Sequence, residues 1–228
     1  SSAQVTLTIA PPGAGVVVGT STVTAVKGEA TFTGLSFQEA GIKSLRATKS
    51  DTSNQANGSA PLTIDSDSFT ISPGPVDATK SSISISPAVP PATALVADGN
   101  ASYSVIITLK DQFNNPISGI KPTFASSISG DNLSQPSAFT DSTGSSSGSI
   151  SSTIADTSSP FRSLTISSPA GLGTLSVLAP LVPGVATKLG YVVQPVNSPG
   201  GALGMAPIQI AVMDATSNVV DTGAASTS

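Results

Sequence analysis

The side chains with the most chemical potential in this chain are aspartates placed in turn-like stretches: Asp65, Asp67, Asp111, Asp141 and Asp214. Clustered turn oxygens are what a calcium ion requires, so Asp111, Asp141 and Asp214 are candidate ligands. A second reading competes with it. Asp111 and Asp214 each stand four residues before an asparagine, Asn115 and Asn218, and such side chains close turns by bonding their own backbone. No calcium loop of the EF type occurs, and both readings stay open. Glutamate is confined to Glu29 and Glu39, which read better as solvated surface carboxylates than as a glycosidase pair.

Histidine is absent, which removes the commonest general base and metal ligand. Cysteine is absent as well, so disulfides and thiolate sites are excluded. Nucleophile elbows, phosphate loops and dinucleotide fingerprints do not occur. The expectation is a protein with no catalytic residues and no cofactor. Three glycosylation-type triplets, beginning at Asn57, Asn100 and Asn132, are background in a chain so rich in serine. Phe113 and Tyr191, both near turns, are packing plugs or adhesive aromatics.

The elements that hold these residues are strands. Charged residues make up only 10 % against 38 % apolar ones, well under the roughly 25 % charge usual in globular proteins. Serine and threonine must supply the polar surface. A net charge of −4 with a pI near 4.5 gives nucleic acid no basic stripe to bind. Apolar runs stay short of the about 18 residues of a membrane helix, so membrane insertion is not expected. The first residues lack a signal-peptide pattern, and an export signal is expected upstream or already removed.

Alternation sets the order of strands. Residues 4–10 place Val5, Leu7 and Ile9 on one side. Residues 20–27 and 29–35 flank Gly28 as a pair, with Val23 and Phe32 inward. A strand begins at Gly41, anchored by Ile42 and Leu45, and residues 51–59 form a polar loop. Residues 68–72 and 81–86 follow. The strongest strand spans 101–110, with Tyr103, Val105, Ile107 and Leu109 at period two. Residues 122–125, 149–154, 162–167, 174–181, 189–193 and 207–213 complete the set, and Asp141 to Gly144 with its serine and glycine neighbours reads as a loop. Helical periodicity with caps is missing throughout. The fold class is all-β, made of antiparallel sandwiches.

One junction occurs twice: Pro73-Gly74-Pro75-Val76-Asp77-Ala78-Thr79-Lys80, and Pro183-Gly184-Val185-Ala186-Thr187-Lys188. Proline and glycine interrupt a strand ladder, so each copy punctuates two folded units. Pro73 and Pro183 stand 110 residues apart, about the length of one immunoglobulin-like sandwich.

With that spacing, the long alternating strand, the Asp-x-x-x-Asn turn and the later Asp-x-x-Gly-type turn resemble bacterial Ig-like tandem repeats of the invasin/intimin type. Residues 76–182 carry the resemblance best. The Gly28 to Leu35 stretch is similar to the late hairpin of such repeats, although serine-rich residues 144–152 depart from their usual strand. The resemblance implies a large extracellular or cell-surface protein: a structural filament or adhesin stalk. It also implies that residues 75–184 form a complete sandwich. Residues 185–228 are then the first part of another sandwich, and residues 1–74 the remainder of one.

A half sandwich exposes strand edges and an apolar face, so each half is expected to be completed by its counterpart in another copy, head to tail. The copies are either continuous in one long polypeptide or separate subunits. The join falls in a Ser/Thr loop with no spare strand, which favours continuity. Alternatives are an adhesive module recognising host glycan or protein, and a subunit of an S-layer-like lattice. Surface sandwiches of this kind also suggest an intramolecular lysine cross-link at Lys27, Lys43 or Lys110, assisted by Glu29 or Asp111, against the plainer reading of exposed strand-edge lysines.

Overall fold

The computed structural model describes residues 3–49, 61–90, 93–156, 161–197 and 207–220. Among them there is no helix, and nearly every strand pair is antiparallel. Two compact units divide the chain: unit 1 holds Ser1–Val76 with Lys110–Pro116, and unit 2 holds Asp77–Leu109 with Ile117–Ser228.

Unit 1 contains β1 (Gln4–Ile9), β2 (Val17–Val18), β3 (Thr22–Thr24), β4 (Ser36–Phe37), β5 (Gly41–Lys43), β6 (Leu45–Lys49), β7 (Leu62–Asp65) and β8 (Phe69–Ile71). Its main sheet runs β3-β1-β6-β7, and β2-β4 and β5-β8 are short pairs. The alternation in β1 is used as alternation should be: Val5, Leu7 and Ile9 share a face with Ala47 and Leu45 opposite them. The other face carries a row of threonines across all four strands, Thr22, Thr6, Thr48 and Thr63 in register. The Phe37 and Phe69 rings pack with centroids 5.5 Å apart.

Two expectations fail in unit 1. Residues 29–35 form no strand; a single Val26–Glu29 bridge is all that pairs there. Ile42 is exposed and its neighbour Lys43 is buried. In a strand successive side chains face opposite ways, so one residue of register decides which of the two goes inside. The loop read at 51–59 lies outside the described residues.

Unit 2 contains β9 (Ser82–Ser86), β10 (Leu95–Val96), β11 (Ser102–Thr108), β12 (Thr123–Ser126), β13 (Asn132–Ser134), β14 (Ser145–Ser151), β15 (Ser163–Ser168), β16 (Ser176–Leu178), β17 (Leu181–Val182), β18 (Lys188–Val193) and β19 (Gln209–Met213). One sheet runs β13-β14-β11-β9 and another β12-β15-β16; β10 and β17 pair in parallel, and β18-β19 is a separate hairpin. The core lies between the first two sheets. Tyr103, Val105, Ile107 and Leu109 are fully buried with Ile150, Leu164 and Ile166. The Tyr103 hydroxyl donates to Pro180 O at 2.8 Å and accepts from Leu95 N at 3.0 Å, so the polar tip of this buried ring keeps its hydrogen bonds.

The serine-rich segment corrects a third expectation. The strand starts at Ser145, not at 149, and all seven of its residues pair with β11. Serine has little strand preference of its own, so this pairing prevails over composition. Small residues are required here: a Cβ at Gly148 would lie 2.8 Å from the Phe124 ring and would also overlap Ser134 O. On the opposite, outward face the rows Ser82–Thr108–Ser145 and Ser86–Ser104–Ser149 stand in register. Hydroxyls thus take the place that charges occupy on most protein surfaces.

Candidate functional site

Asp111 and Asn115 belong to unit 1 and close a five-residue turn. Asp111 N donates to Asn115 O and Asn114 N to Asp111 O, both at 3.0 Å. Asn114 takes a left-handed φ of 67°, a region asparagine tolerates better than most residues. The buried Asp111 carboxylate accepts four hydrogen bonds. Phe113 N (2.8 Å) and Asn115 N (2.9 Å) reach Oδ1; Asn115 Nδ2 (2.8 Å) and Gly74 N (2.9 Å) reach Oδ2. Burial by itself pushes the carboxyl pKa up. The donors from Asn115, Gly74 and Phe113 outweigh it and hold the group below the ordinary aspartate value.

Asn115 has a second task. Its Nδ2 donates to Gln38 O at 2.7 Å, and its Oδ1 accepts from Ala40 N at 2.9 Å. One amide side chain therefore pairs with a carbonyl and an N–H two residues apart in the loop between β4 and β5.

Unit 2 repeats the arrangement. Asp214 N donates to Asn218 O, Ser217 N to Asp214 O, and Ser217 takes a φ of 74°. Asp214 Oδ1 accepts from Asn218 N at 2.8 Å and Thr216 Oγ1 at 2.9 Å, while Oδ2 accepts from Gly184 N at 2.8 Å and Asn218 Nδ2 at 3.0 Å. Burial again pushes the pKa up. The Gly184, Asn218 and Thr216 donors prevail, and Asp214 is driven far below the usual carboxylate range. Asn218 Nδ2 donates to Thr153 O at 3.0 Å and Oδ1 accepts from Ala155 N at 2.9 Å. The Thr216 hydroxyl also lies 3.1 Å from Ala97 O. Here the turn belongs to the β18-β19 hairpin, and the loop it holds follows β14.

Each clamped loop is supported from behind by a buried cation. Fully buried Arg162, next to β15, donates Nη2 to Ile154 O at 2.7 Å, Nε to Asp131 Oδ2 at 2.8 Å and Nη1 to Asp156 Oδ2 at 3.1 Å. Lys43, buried at the end of β5, places Nζ 2.7 Å from Ala14 O and 3.4 Å from Glu39 Oε2. Asp131 Oδ1 is buried without a partner.

The junction glycines Gly74 and Gly184 enter the clamps through their N–H groups, and Pro73 and Pro183 precede them. A Cβ on Gly184 would come within 3.3 Å of Val96. The other aspartates stay in their own turns. Asp141 Oδ1 accepts from Thr143 N, Thr143 Oγ1 and Ser145 N, and Asp65 meets Arg46 through two 2.7 Å bonds. Among the described residues no group of three or more acidic side chains is placed to hold a metal ion, and Asp111 and Asp214 each accept four hydrogen bonds. The Lys43 amine meets a carbonyl oxygen and a glutamate, not the asparagine or aspartate of a cross-link. Phe113 and Tyr191 are exposed.

The Asp-x-x-x-Asn pair is visible in sequence, but its reach to Gln38, Ala40, Thr153 and Ala155 is not. Those partners act through backbone atoms that every residue type carries. Arg162 stands as a lone cation in the sequence, with no pattern tying it to Asp131 or Asp156.

Two sheets facing each other across an apolar core, with the long β11 paired on both sides, define an Ig-like β-sandwich. Residues 88–168 match the family model of the bacterial Ig-like domain (group 1). No curated protein matches the chain in sequence. Among solved structures it is similar to invasin, a bacterial integrin-binding protein, at 16 % identity and a TM-score of 0.48, over 97 % of this chain and 41 % of that one. InvD of Yersinia pseudotuberculosis is similar at 17 % identity and a TM-score of 0.49, over 96 % of this chain and 62 % of its own. The D0-D1 domain of intimin gives 18 % and 0.32, over 79 % and 80 %. The chain thus spans less than two thirds of the length of the first two.

Proposed function

We propose that this chain is a structural repeat of an extracellular bacterial filament or adhesin stalk, carrying no chemistry of its own. Residues 75–184 are its complete sandwich, and residues 185–228 and 1–74 are complementary parts of sandwiches completed by other copies. Two matching deficits carry the reading. In unit 2, β11 pairs with β9 on one side and β14 on the other. β19 leads to Asp214 as β11 leads to Asp111, yet among the described residues β18 is the one named strand it pairs with. In unit 1, residues 29–35 follow Gly28 (φ 89°) as β14 follows Gly144 (φ 78°), yet they have no long strand to lie against. Each segment lacks what the other offers.

Exposure supports the same reading. Tyr191 and Ile210 face each other in the hairpin as Ile83 and Ile107 do in the sandwich. Ile83 and Ile107 are 8 % and 0 % exposed, whereas Tyr191 and Ile210 are 52 % and 56 % exposed. An apolar face left that open is a face awaiting a partner. Copies are continuous in one long polypeptide or joined as subunits.

The test is a polypeptide with two copies of the 228 residues in tandem. Hydrogen exchange of the β18 and β19 amides in the first copy is expected to slow at least a hundredfold relative to the single chain. Equal exchange in both would overturn the completion.

A further inference from the structure

The clamps share their chemistry and not their partners' sequences. Asn115 meets Gln38-Glu39-Ala40, and Asn218 meets Thr153-Ile154-Ala155. Only the alanine is common. In both, the asparagine amide donates to the carbonyl of the first loop residue and accepts from the N–H of the third. A planar amide is complementary to that donor–acceptor spacing in one orientation, because Nδ2 cannot accept and Oδ1 cannot donate. The aspartate sets that orientation. Its Oδ2 lies within hydrogen-bond distance of Nδ2 in each clamp, at 2.8 Å and 3.0 Å, and in the second clamp Thr216 Oγ1 also stands 2.8 Å from Nδ2. The aspartate Oδ2 also takes the N–H of the junction glycine, so turn, junction and loop share one buried carboxylate.

The loops are preorganised to be read. Arg162 fixes the carbonyl of Ile154, the middle residue of its loop, and Lys43 holds the side chain of Glu39, the middle residue of the other. Arg162 is fully buried and anchors its loop from the interior, while in both loops the outer carbonyl and N–H remain for the asparagine.

We propose that the Asp-x-x-x-Asn turn is a recognition element for the backbone of the loop in the preceding sandwich: its partner is any three-residue loop offering a carbonyl and an N–H two residues apart, whatever its side chains. It rests on the reading of the chain as successive sandwiches. The consequence is that neighbouring repeats can diverge in sequence without losing their joint, since the joint is read through atoms that substitution leaves in place.

Amide exchange in the single 228-residue chain tests this separately from completion by another copy. The Ala155 and Ala40 amides report the two clamps directly. Asn218→Leu is expected to speed exchange at Ala155 at least tenfold while Val105 and Ile150 amides and the Ala40 amide keep their rates; Asn115→Leu does the converse. Transplanting the other loop, T153Q/I154E, is expected to leave Ala155 within about threefold of the parent. Unchanged Ala155 exchange in Asn218→Leu would overturn the clamp. Loss of Ala155 protection in T153Q/I154E, with the Val105 and Ile150 amides still protected, would overturn its indifference to sequence. Should Asn218→Leu unfold unit 2, Asn218→Asp serves instead. It keeps the size and the Oδ acceptor but loses the Nδ2 donor, and faster Ala155 exchange supports the proposal while parent-like exchange counts against it.

Discussion

Asp214 and Asp111 are held below the ordinary aspartate pKa by donors that exist only in the fold. A carboxyl whose folded pKa is depressed contributes stability that is fully present above its unfolded value, about 3.9, and is lost as pH falls toward the folded one. The melting temperature is therefore expected to be level from neutral pH down to about 4 and to drop below it. Asp214→Asn removes part of that acid slope. It also turns an amide toward the Gly184 N–H or the Asn218 amide, both donors, and so lowers stability by about 2 kcal/mol at neutral pH. A series of thermal melts at stepped pH reads both effects; a variant with the parent's acid slope would show that Asp214 is not the titrating group. At Ser217 the expectation reverses. A serine at φ 74° is strained where glycine is not, so Ser217→Gly is expected to gain about 0.5–1 kcal/mol in urea unfolding.

At the scale of elements, strand β11 was legible because each inward position, from Tyr103 to Leu109, is apolar and each becomes buried. Strand β14 was half legible. Its Ser145 to Gly148 portion is written in turn residues, and only the neighbours β11 and β13 make it a strand. Residues 29–35 show the converse: alternation is present, but among the described residues no long partner strand lies beside them. Alternation states what a strand could bury and says nothing of whether a neighbour is there. The Ile42 and Lys43 exchange was illegible for another reason, since Lys43 goes inside to reach Ala14 O and Glu39, contacts with no sequence signature. The candidate site was legible in its aspartates and asparagines and hidden in its backbone partners. Gly148 tests how tightly β14 is fitted. Gly148→Ala drives a methyl into Phe124 and the Ser134 carbonyl, and calorimetry is expected to show a loss of about 1–3 kcal/mol.

For the whole molecule, the same chemical change at two equivalent positions tests the proposed completion by another copy. Ile107 and Ile210 each stand four residues before the clamp aspartate and face an inward residue of the adjoining strand. Ile107 is fully buried, so Ile107→Lys places an ammonium in a core with no partner, and unit 2 is expected to unfold. Ile210 is open in the single chain, where Ile210→Lys is expected to shift stability by no more than about 0.5 kcal/mol. Under the proposed completion, the first Ile210 of a tandem of two copies becomes a core residue, and lysine there is expected to carry the penalty seen at Ile107. The tandem parent should show an added cooperative transition in calorimetry, from the sandwich formed where the copies meet; with Ile210→Lys in the first copy that transition should vanish while the others remain. If lysine at 210 is as harmless in the tandem as in the single chain, the two halves do not form a common core, and the proposed completion is overturned.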